Sequence, residues 1–361
     1  MRFIVNLGSK FSIMIPVKAY AAYDAVTPLK PFEFTRNPVS PEQVQIEILY
    51  SGVCHSDLHT AKGDWGPAIY PLVPGHEIVG RITAIGSNVS KFAVGDLAGI
   101  GCFVDSCRVC PSCKSGEEQY CDEGMTATYN SYERGNGTPT YGGYSTMITA
   151  DQQYVLRVSD KLDLRGVAPL LCAGITTWSP LRHLKVGKGH KVGVLGLGGL
   201  GHMAVKFAVA FGAKVTMLSS SRSKEADAKK LGAHHFALTS DQDSMDSLVN
   251  SFDFILNTVS ATHDYNAFLN LLTKNGTMII VGAPPTPAQF PAFTLILKRR
   301  SIMGSLIGGI AETQQMLDYC AEHNIVADVE LIDMSYINEA YVRMLKSDVK
   351  YRFVIDMKSL K

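Results

Sequence analysis

KVGVLGLGGLGHMAVKFAVAFGAKVTMLSSSRSK, residues 191–224, holds a short apolar strand (Val192 to Leu195), a glycine run, an apolar-periodic helix and a second strand (Val215 to Leu218). That order predicts a βαβ unit. Gly196, Gly198 and Gly201 stand in G-x-G-x-x-G spacing. The first permits a tight strand-to-helix turn, the second lets the backbone approach a pyrophosphate, and the third lets the helix pack closely on its strand. The phosphates then rest on the N–H groups and positive dipole end of the helix. Glycines so spaced also punctuate packing turns, but the flanking strand, helix and second strand together point to a dinucleotide.

From Gly187 onward the alternation continues through HHFALT, FDFILNTV, a helix near Tyr265 to Leu272, TMIIVGA and SIMGSLIG. Strands alternating with helices predict a parallel, doubly wound sheet. The C-terminal stretch carries a helix, Ile310 to His323, and strand-like ADVELIDM and YRFVIDM, expected to return to the first domain. On the other side, Val17 to about Ala150 is cut by Gly and Pro into short runs such as VQIEILYSGVC, EIVGRITAIG and VGDLAGIG. These predict a β-rich, barrel-like domain with almost no helical periodicity. Within it Thr126 to Tyr144 is too glycine-rich for a helix and reads as a loop or hairpin before the strand YSTMITA.

A chain of 361 residues exceeds the usual single core, so two domains are expected. With 34 basic and 33 acidic side chains, it offers no electrostatic case for nucleic acid or an anionic membrane. No apolar run approaches the roughly 18 residues of a spanning helix. Asn6, Gly8 and Lys10 interrupt the apolar run of MRFIVNLGSKFSIM, which makes it a poor signal peptide. Residues 1–13 read as an N-terminal extension.

Four of the eight cysteines fall within Cys107 to Cys121. In a large chain without a secretory signal, reduced metal-binding thiols and a cytoplasmic location are the better reading. Cys107-x-x-Cys110-x-x-Cys113 followed by Cys121 can close a tetrahedral site with no free position, which marks structural zinc. An iron-sulfur cluster and a nucleic-acid ribbon are the alternatives. Against the ribbon, Glu117 and Glu118 offset Arg108 and Lys114. Cys102 and Cys320 fall outside these sets and read as packing residues.

A second constellation is Gly52-Val53-Cys54-His55-Ser56-Asp57-Leu58-His59, followed by Pro74-Gly75-His76-Glu77. Cys54 and His76 are soft donors suited to zinc, and Cys172 in LLCAGITTW supplies a third. Three protein ligands leave a fourth position for water or a substrate oxygen, the pattern of a catalytic ion. Taken singly, each reads more readily as a packing cysteine or a structural histidine.

Read in order, GVCHSDLH, YPLVPGHEIVG, CAGITT and GLGGLG resemble the medium-chain, zinc-dependent alcohol dehydrogenase family. Within it the chain is similar, from about Val17 onward, to the cinnamyl-alcohol-dehydrogenase type of NADP-dependent aldehyde reductase. The resemblance implies an α/β protein: a GroES-like β-barrel catalytic domain interrupted by a Rossmann domain, with the active site between them. The implied boundaries are 14–164 for the catalytic domain with its structural zinc lobe, 165–307 for the NADP-binding domain and 308–361 for the C-terminal return. It implies two zinc ions per chain, one on Cys54, His76 and Cys172, the other on Cys107, Cys110, Cys113 and Cys121. Glu77 matches an alternate ligand, and Asp57 the residue that orients His76. Ser56 matches the hydroxyl that touches the substrate oxygen, and His59 a distal member of the proton relay. Cofactor contacts are expected at Thr176, Gly196, Gly198, Gly199, Leu200, Gly201, Ser219, Ser220, Ser221, Arg222, Lys224, Thr258, Gly282 and Ser305. A homodimer formed through Ser301 to Ile307 is a further family expectation.

NAD enzymes place an acidic residue at the end of the second strand to bond the ribose 2′-hydroxyl. Here Ser219-Ser220-Ser221-Arg222-Ser223-Lys224 stands instead, and hydroxyls with two cations suit a 2′-phosphate. NADP is therefore expected. Plant cinnamyl enzymes carry an aromatic residue shortly after the last structural cysteine, whereas Asp122-Glu123-Gly124-Met125-Thr126 has none, which argues against lignin precursors. With Trp65 and Ile307 as candidate pocket walls, an apolar pocket discriminates weakly between aldehydes. The expected reaction is zinc-assisted hydride transfer between NADP(H) and a broad range of aromatic and aliphatic aldehydes or primary alcohols, favouring reduction. The alternatives are an NAD-dependent polyol or secondary-alcohol dehydrogenase and a non-catalytic zinc- and nucleotide-binding protein.

Overall fold

A computed structural model describes residues 14–360. The expected extension, residues 1–13, lies outside the described residues. The quoted stretch forms the centre of a six-stranded sheet ordered His235–Leu238, Lys214–Ser219, Lys191–Leu195, Phe252–Asn257, Leu272–Ile280 and Ser301–Gly304. Every neighbouring pair is parallel. Because Lys191–Leu195 has Lys214–Ser219 on one side and Phe252–Asn257 on the other, successive connections leave it in opposite directions. A crevice therefore opens at the carboxyl ends of these strands, where open α/β sheets bind ligands. Val192, Val194, Val215, Met217, Ile255 and Leu256 are fully buried, as strands covered on both faces require.

The second sheet has the order Val329–Asp333, Arg352–Asp356, Gln43–Val53, Ile78–Ile85, Leu97–Ile100 and Leu156–Arg157, with Met147–Asp151 also paired to Gln43–Val53. Val44, Ile46 and Ile48 alternate with less buried residues along Gln43–Val53, the period of a sheet with one core face. Arg352–Asp356 runs antiparallel to the far end of Gln43–Val53, so the C-terminal stretch does return to this sheet. Leu164–Val167 and Ala168–Leu171 pack on this sheet, whereas Ala173–His183 packs on Gly201–Ala210 and Ile310–His323. Cys172 thus stands where the chain passes from one sheet to the other.

Two local readings differ from the sequence, and a third, the loop from Thr126 to Tyr144, stands as expected. A helix, His55–Ala61, follows Cys54 in a region read as free of helix. Asp57, at its third position, accepts the Cys54 N–H (2.8 Å), and that capping bond offsets the weak periodicity. The helix expected to reach Leu272 is Tyr265–Leu269, because Leu272 already begins a strand. Between Thr126 and Tyr144 the chain is a loop, with a two-residue strand Thr126–Ala127 and one bridge from Tyr132 to Pro139. No helix among the described residues is long and apolar enough to cross a membrane.

Candidate active site

Cys54 caps the helix His55–Ala61, His76 follows a turn through Gly75 in a left-handed conformation (φ +103°), and Cys172 lies at the passage between sheets. Their ligand atoms and a Glu77 carboxylate oxygen all lie within 4.8 Å of one another. All four residues are buried. His76 Nδ1 donates to Asp57 Oδ1 (3.0 Å), which leaves Nε2 as the free lone pair. Ser56 Oγ is 3.5 Å from Cys54 Sγ.

Electrostatics fit this set to a cation. The Cys172 thiol, by its hydrogen bond, holds the Cys54 thiol well below its ordinary range against the effect of burial. Cys172 is itself pushed up by contact with Cys102 and Cys54. Cys102, read as packing, therefore also touches the site, although it packs on the core as expected. Burial pushes Glu77 up to about 7, with the Arg352 guanidinium pulling the other way. Arg352 pairs with Glu77 Oε1, while Oε2 has no partner among the described residues. Two thiols, an imidazole and an orphaned carboxylate oxygen form a set that one zinc ion would satisfy.

The other four thiols make a separate, half-buried cluster. Cys107 N donates to Cys121 Sγ (3.3 Å), Cys110 N to Cys107 Sγ (3.3 Å) and Cys113 N to Cys110 Sγ (3.4 Å). Backbone N–H groups from Asp122 and Cys113 lower Cys110 to about 6. Donors aimed at sulfur favour thiolates, and four of them around one point fit a closed zinc site.

At the switch point the three glycines serve three different ends. Gly196 has φ +91°, and a Cβ there would lie 2.8 Å from Val259. A Cβ on Gly201 would collide with the Gly196 carbonyl, whereas one on Gly198 would meet nothing within 4 Å. That open backbone, beside the N-terminus of Gly201–Ala210, lets a phosphate approach the helix N–H groups. Thr258 Oγ1 donates to Leu195 O (2.8 Å) and so borders the turn. Gly282 abuts Val259, where no side chain fits, and Ser305 N donates to Ile280 O (3.2 Å). Thr176 lies one helical turn past Cys172. Past the second strand, Ser219 is buried, Ser220 and Arg222 are exposed, Ser221 Oγ bonds Ser223 Oγ (2.8 Å), and Lys224 Nζ donates to Leu197 O (2.9 Å).

Sequence reasoning missed Arg352, which joins the two halves. It pairs with Glu77 beside the thiols, and a Cβ on Gly199 of the glycine turn would lie 2.8 Å from its Cδ. A lone cation inside the apolar strand YRFVIDM was the available signal. Asp64 was missed too: His59 Nδ1 bonds its Oδ2 (2.8 Å). Of the two expected pocket walls, Trp65 is exposed and stacks on His59 (5.1 Å between centroids). Ile307 is buried in the core, and its neighbour Leu306 is the exposed side chain of that turn.

Comparison with known proteins agrees with this geometry. Residues 40–160 match the alcohol dehydrogenase GroES-like domain, and residues 199–322 the zinc-binding dehydrogenase domain. The chain is 55% identical over 349 residues to NADP-dependent alcohol dehydrogenase C 1 of Mycolicibacterium smegmatis, covering 96% of this chain and 100% of that protein. It is 55% identical over 346 residues to aldehyde reductase YahK of Escherichia coli, covering 95% and 99%. Among solved structures it resembles a Sorghum bicolor cinnamyl alcohol dehydrogenase (TM-score 0.93, 44% identity, 96% and 99% covered). It likewise resembles the Helicobacter pylori cinnamyl alcohol dehydrogenase complexed with NADP(H) (TM-score 0.91, 43% identity, 97% and 100% covered).

Proposed function

The chain belongs to the zinc-binding alcohol dehydrogenase family, and from that premise we propose that it transfers hydride between NADP(H) and a broad range of aldehydes and primary alcohols, chiefly as an aldehyde reductase. One observation carries the proposal: Arg352 links the buried Cys54, His76, Glu77 and Cys172 set to the glycine turn, so electrophile and reductant meet in one cleft.

Cys54, His76 and Cys172 would hold the catalytic zinc, with Glu77 as alternate ligand, and Cys107, Cys110, Cys113 and Cys121 a second, structural zinc. When bound, the catalytic ion acts as a Lewis acid toward the carbonyl oxygen and the nicotinamide supplies the hydride. Asp57 fixes the His76 tautomer by accepting its Nδ1 proton. Ser56 Oγ, beside Cys54, is positioned to pass a proton to the substrate oxygen. His59 stands nearer the surface, its Nδ1 held by the exposed Asp64, and returns protons from solvent. Gly198, Gly199, Leu200 and Gly201 would cradle the pyrophosphate, with Ser220, Ser221, Arg222 and Lys224 around the 2′-phosphate. Thr176, Ser219, Thr258, Gly282 and Ser305 complete the cofactor contacts, and Trp65 borders the substrate.

The same reading divides the chain into a catalytic part, 14–164 with 308–361, and a nucleotide-binding part, 165–307. A homodimer is supported by Phe293, Ile296 and Leu297, which are 68%, 65% and 75% exposed next to the edge strand Ser301–Gly304. Thiols gathered as ligands suit a reducing, cytoplasmic location. The test is a panel of aldehydes and alcohols assayed with both cofactors, together with metal analysis. Higher kcat/KM with NADPH and two zinc ions per chain are expected. Preference for NADH or inactivity toward every aldehyde defeats the proposal.

A further inference from the structure

Behind the metal set lies a buried hydroxyl that the reaction does not use. Tyr144 is completely buried, and its Oη donates to Asp57 Oδ2 (3.2 Å). The four hydrogen bonds of Asp57 divide evenly between its oxygens. Oδ2 accepts from Cys54 N (2.8 Å) and Tyr144; Oδ1 accepts from Gly75 N (3.1 Å) and His76 Nδ1 (3.0 Å). One carboxylate thereby ties together the turn that carries Cys54, the turn that carries His76 and the segment that carries Tyr144. Among the described residues, His76 is its only ion-pair partner.

Tyr144 is anchored independently of this bond. Gly142 N donates to Val73 O (2.8 Å), Gly143 N to Gly75 O (2.8 Å) and Tyr144 N to Pro74 O (2.9 Å), while Tyr144 O accepts from Tyr20 N (2.9 Å). A Cβ on Gly75 would stand 2.8 Å from both Gly143 N and Tyr144 Cδ1. The ring therefore lies flush against the turn preceding His76, and its hydroxyl, which also faces Tyr341, donates to Asp57.

We infer that Tyr144 is a positioning residue for the metal centre: by holding Asp57 Oδ2, its hydroxyl keeps Oδ1 on His76 Nδ1 and so presents Nε2 to the ion. Without Oη the carboxylate has three donors and can turn about its Cβ–Cγ bond, which loosens the His76 ring. The inference rests on the assignment of an ion to Cys54, His76 and Cys172. Removing a direct partner of a metal-bound histidine costs about 10–100-fold in affinity or activity, and Tyr144, one bond further out, falls at the low end, about tenfold.

The test compares wild-type and Tyr144→Phe holoenzymes by chelator competition for zinc and by the visible bands of the cobalt-substituted protein, with near-ultraviolet circular dichroism as the check on folding. Expected are about tenfold weaker retention at the catalytic site, shifted cobalt bands, and no further loss when Tyr144→Phe is added to Asp57→Asn. Wild-type affinity with unshifted bands overturns the inference, as does an equal loss in the Asp57→Asn background. Should Tyr144→Phe fail to fold, 3-fluorotyrosine incorporated at position 144 keeps the shape and strengthens the donor. Shifted cobalt bands then support the role and unshifted bands overturn it. A wild-type protein that holds only the ion of the Cys107–Cys121 cluster overturns the parent assignment as well, a result seen before any variant is made.

Discussion

Among the described residues no donor reaches one buried carboxylate oxygen of Glu77, a state that costs about 1–3 kcal/mol or more unless a cation answers it. His76 and Glu77 were legible in the sequence because they are adjacent in a recognisable turn. Arg352 was not, since 275 residues separate it from its partner. His202 is another case in which only burial decides the chemistry. It follows the glycines, its Nδ1 lies 3.3 Å from Gly198 O, and its ring stacks on Tyr351 at 4.9 Å. Burial first, then the charges of Lys206 and Arg352, lowers it to about 3. Its ordinary value is about 6.5, so between the two the unfolded chain binds the extra proton. Its stabilising share is thus complete above about pH 6.5 and declines as pH falls toward 3. Urea unfolding should show the wild type losing about 2 kcal/mol more than His202→Gln between pH 7.5 and pH 5. Parallel acid limbs for the two proteins would refute this.

At the scale of elements, the glycine turn and the helix Gly201–Ala210 were readable because local sterics impose both the spacing and the period. Gly201 faces the Gly196 carbonyl with no room for a methyl group. Gly201→Ala is therefore expected to lose about 1–3 kcal/mol of stability and to bind NADPH at least tenfold more weakly, measured by thermal unfolding and fluorescence titration. Unchanged affinity would mean the pyrophosphate does not use this turn. The cysteine lobe is tied to a helix far along the chain. Glu118 Oε2 accepts from Ile310 N (3.1 Å) at the start of Ile310–His323, and Tyr120 Oη accepts from Leu306 N (3.2 Å). Cys110→Ser should remove one zinc per chain, lower Tm and speed amide exchange at Ile310. Protection retained at Ile310 after loss of that zinc would show that the docking does not depend on the metal. Nothing in the spacing of four cysteines announces that contact, because it depends on how two segments nearly two hundred residues apart come to pack.

For the whole molecule, the proposed homodimer would cover the edge strand Ser301–Gly304 and the exposed Phe293, Ile296 and Leu297 that precede it in the chain. If the proposed dimer forms there, Leu297→Asp should leave a monomer in light scattering, with kcat/KM changed less than threefold if each subunit is complete. A wild-type monomer would remove the interface.

By itself the sequence determined the βαβ unit, the Cys107–Cys121 thiol set and the acid-free loop after the second strand. Each of these depends on residues close enough in the chain for spacing to impose geometry. Only the tertiary structure decided that Cys172 reaches Cys54 and His76, that Arg352 spans metal set and glycine turn, and that Tyr144 stands behind Asp57. Those meetings follow from strand pairing and core burial, and such long-range contacts leave no periodic trace in the segments they join.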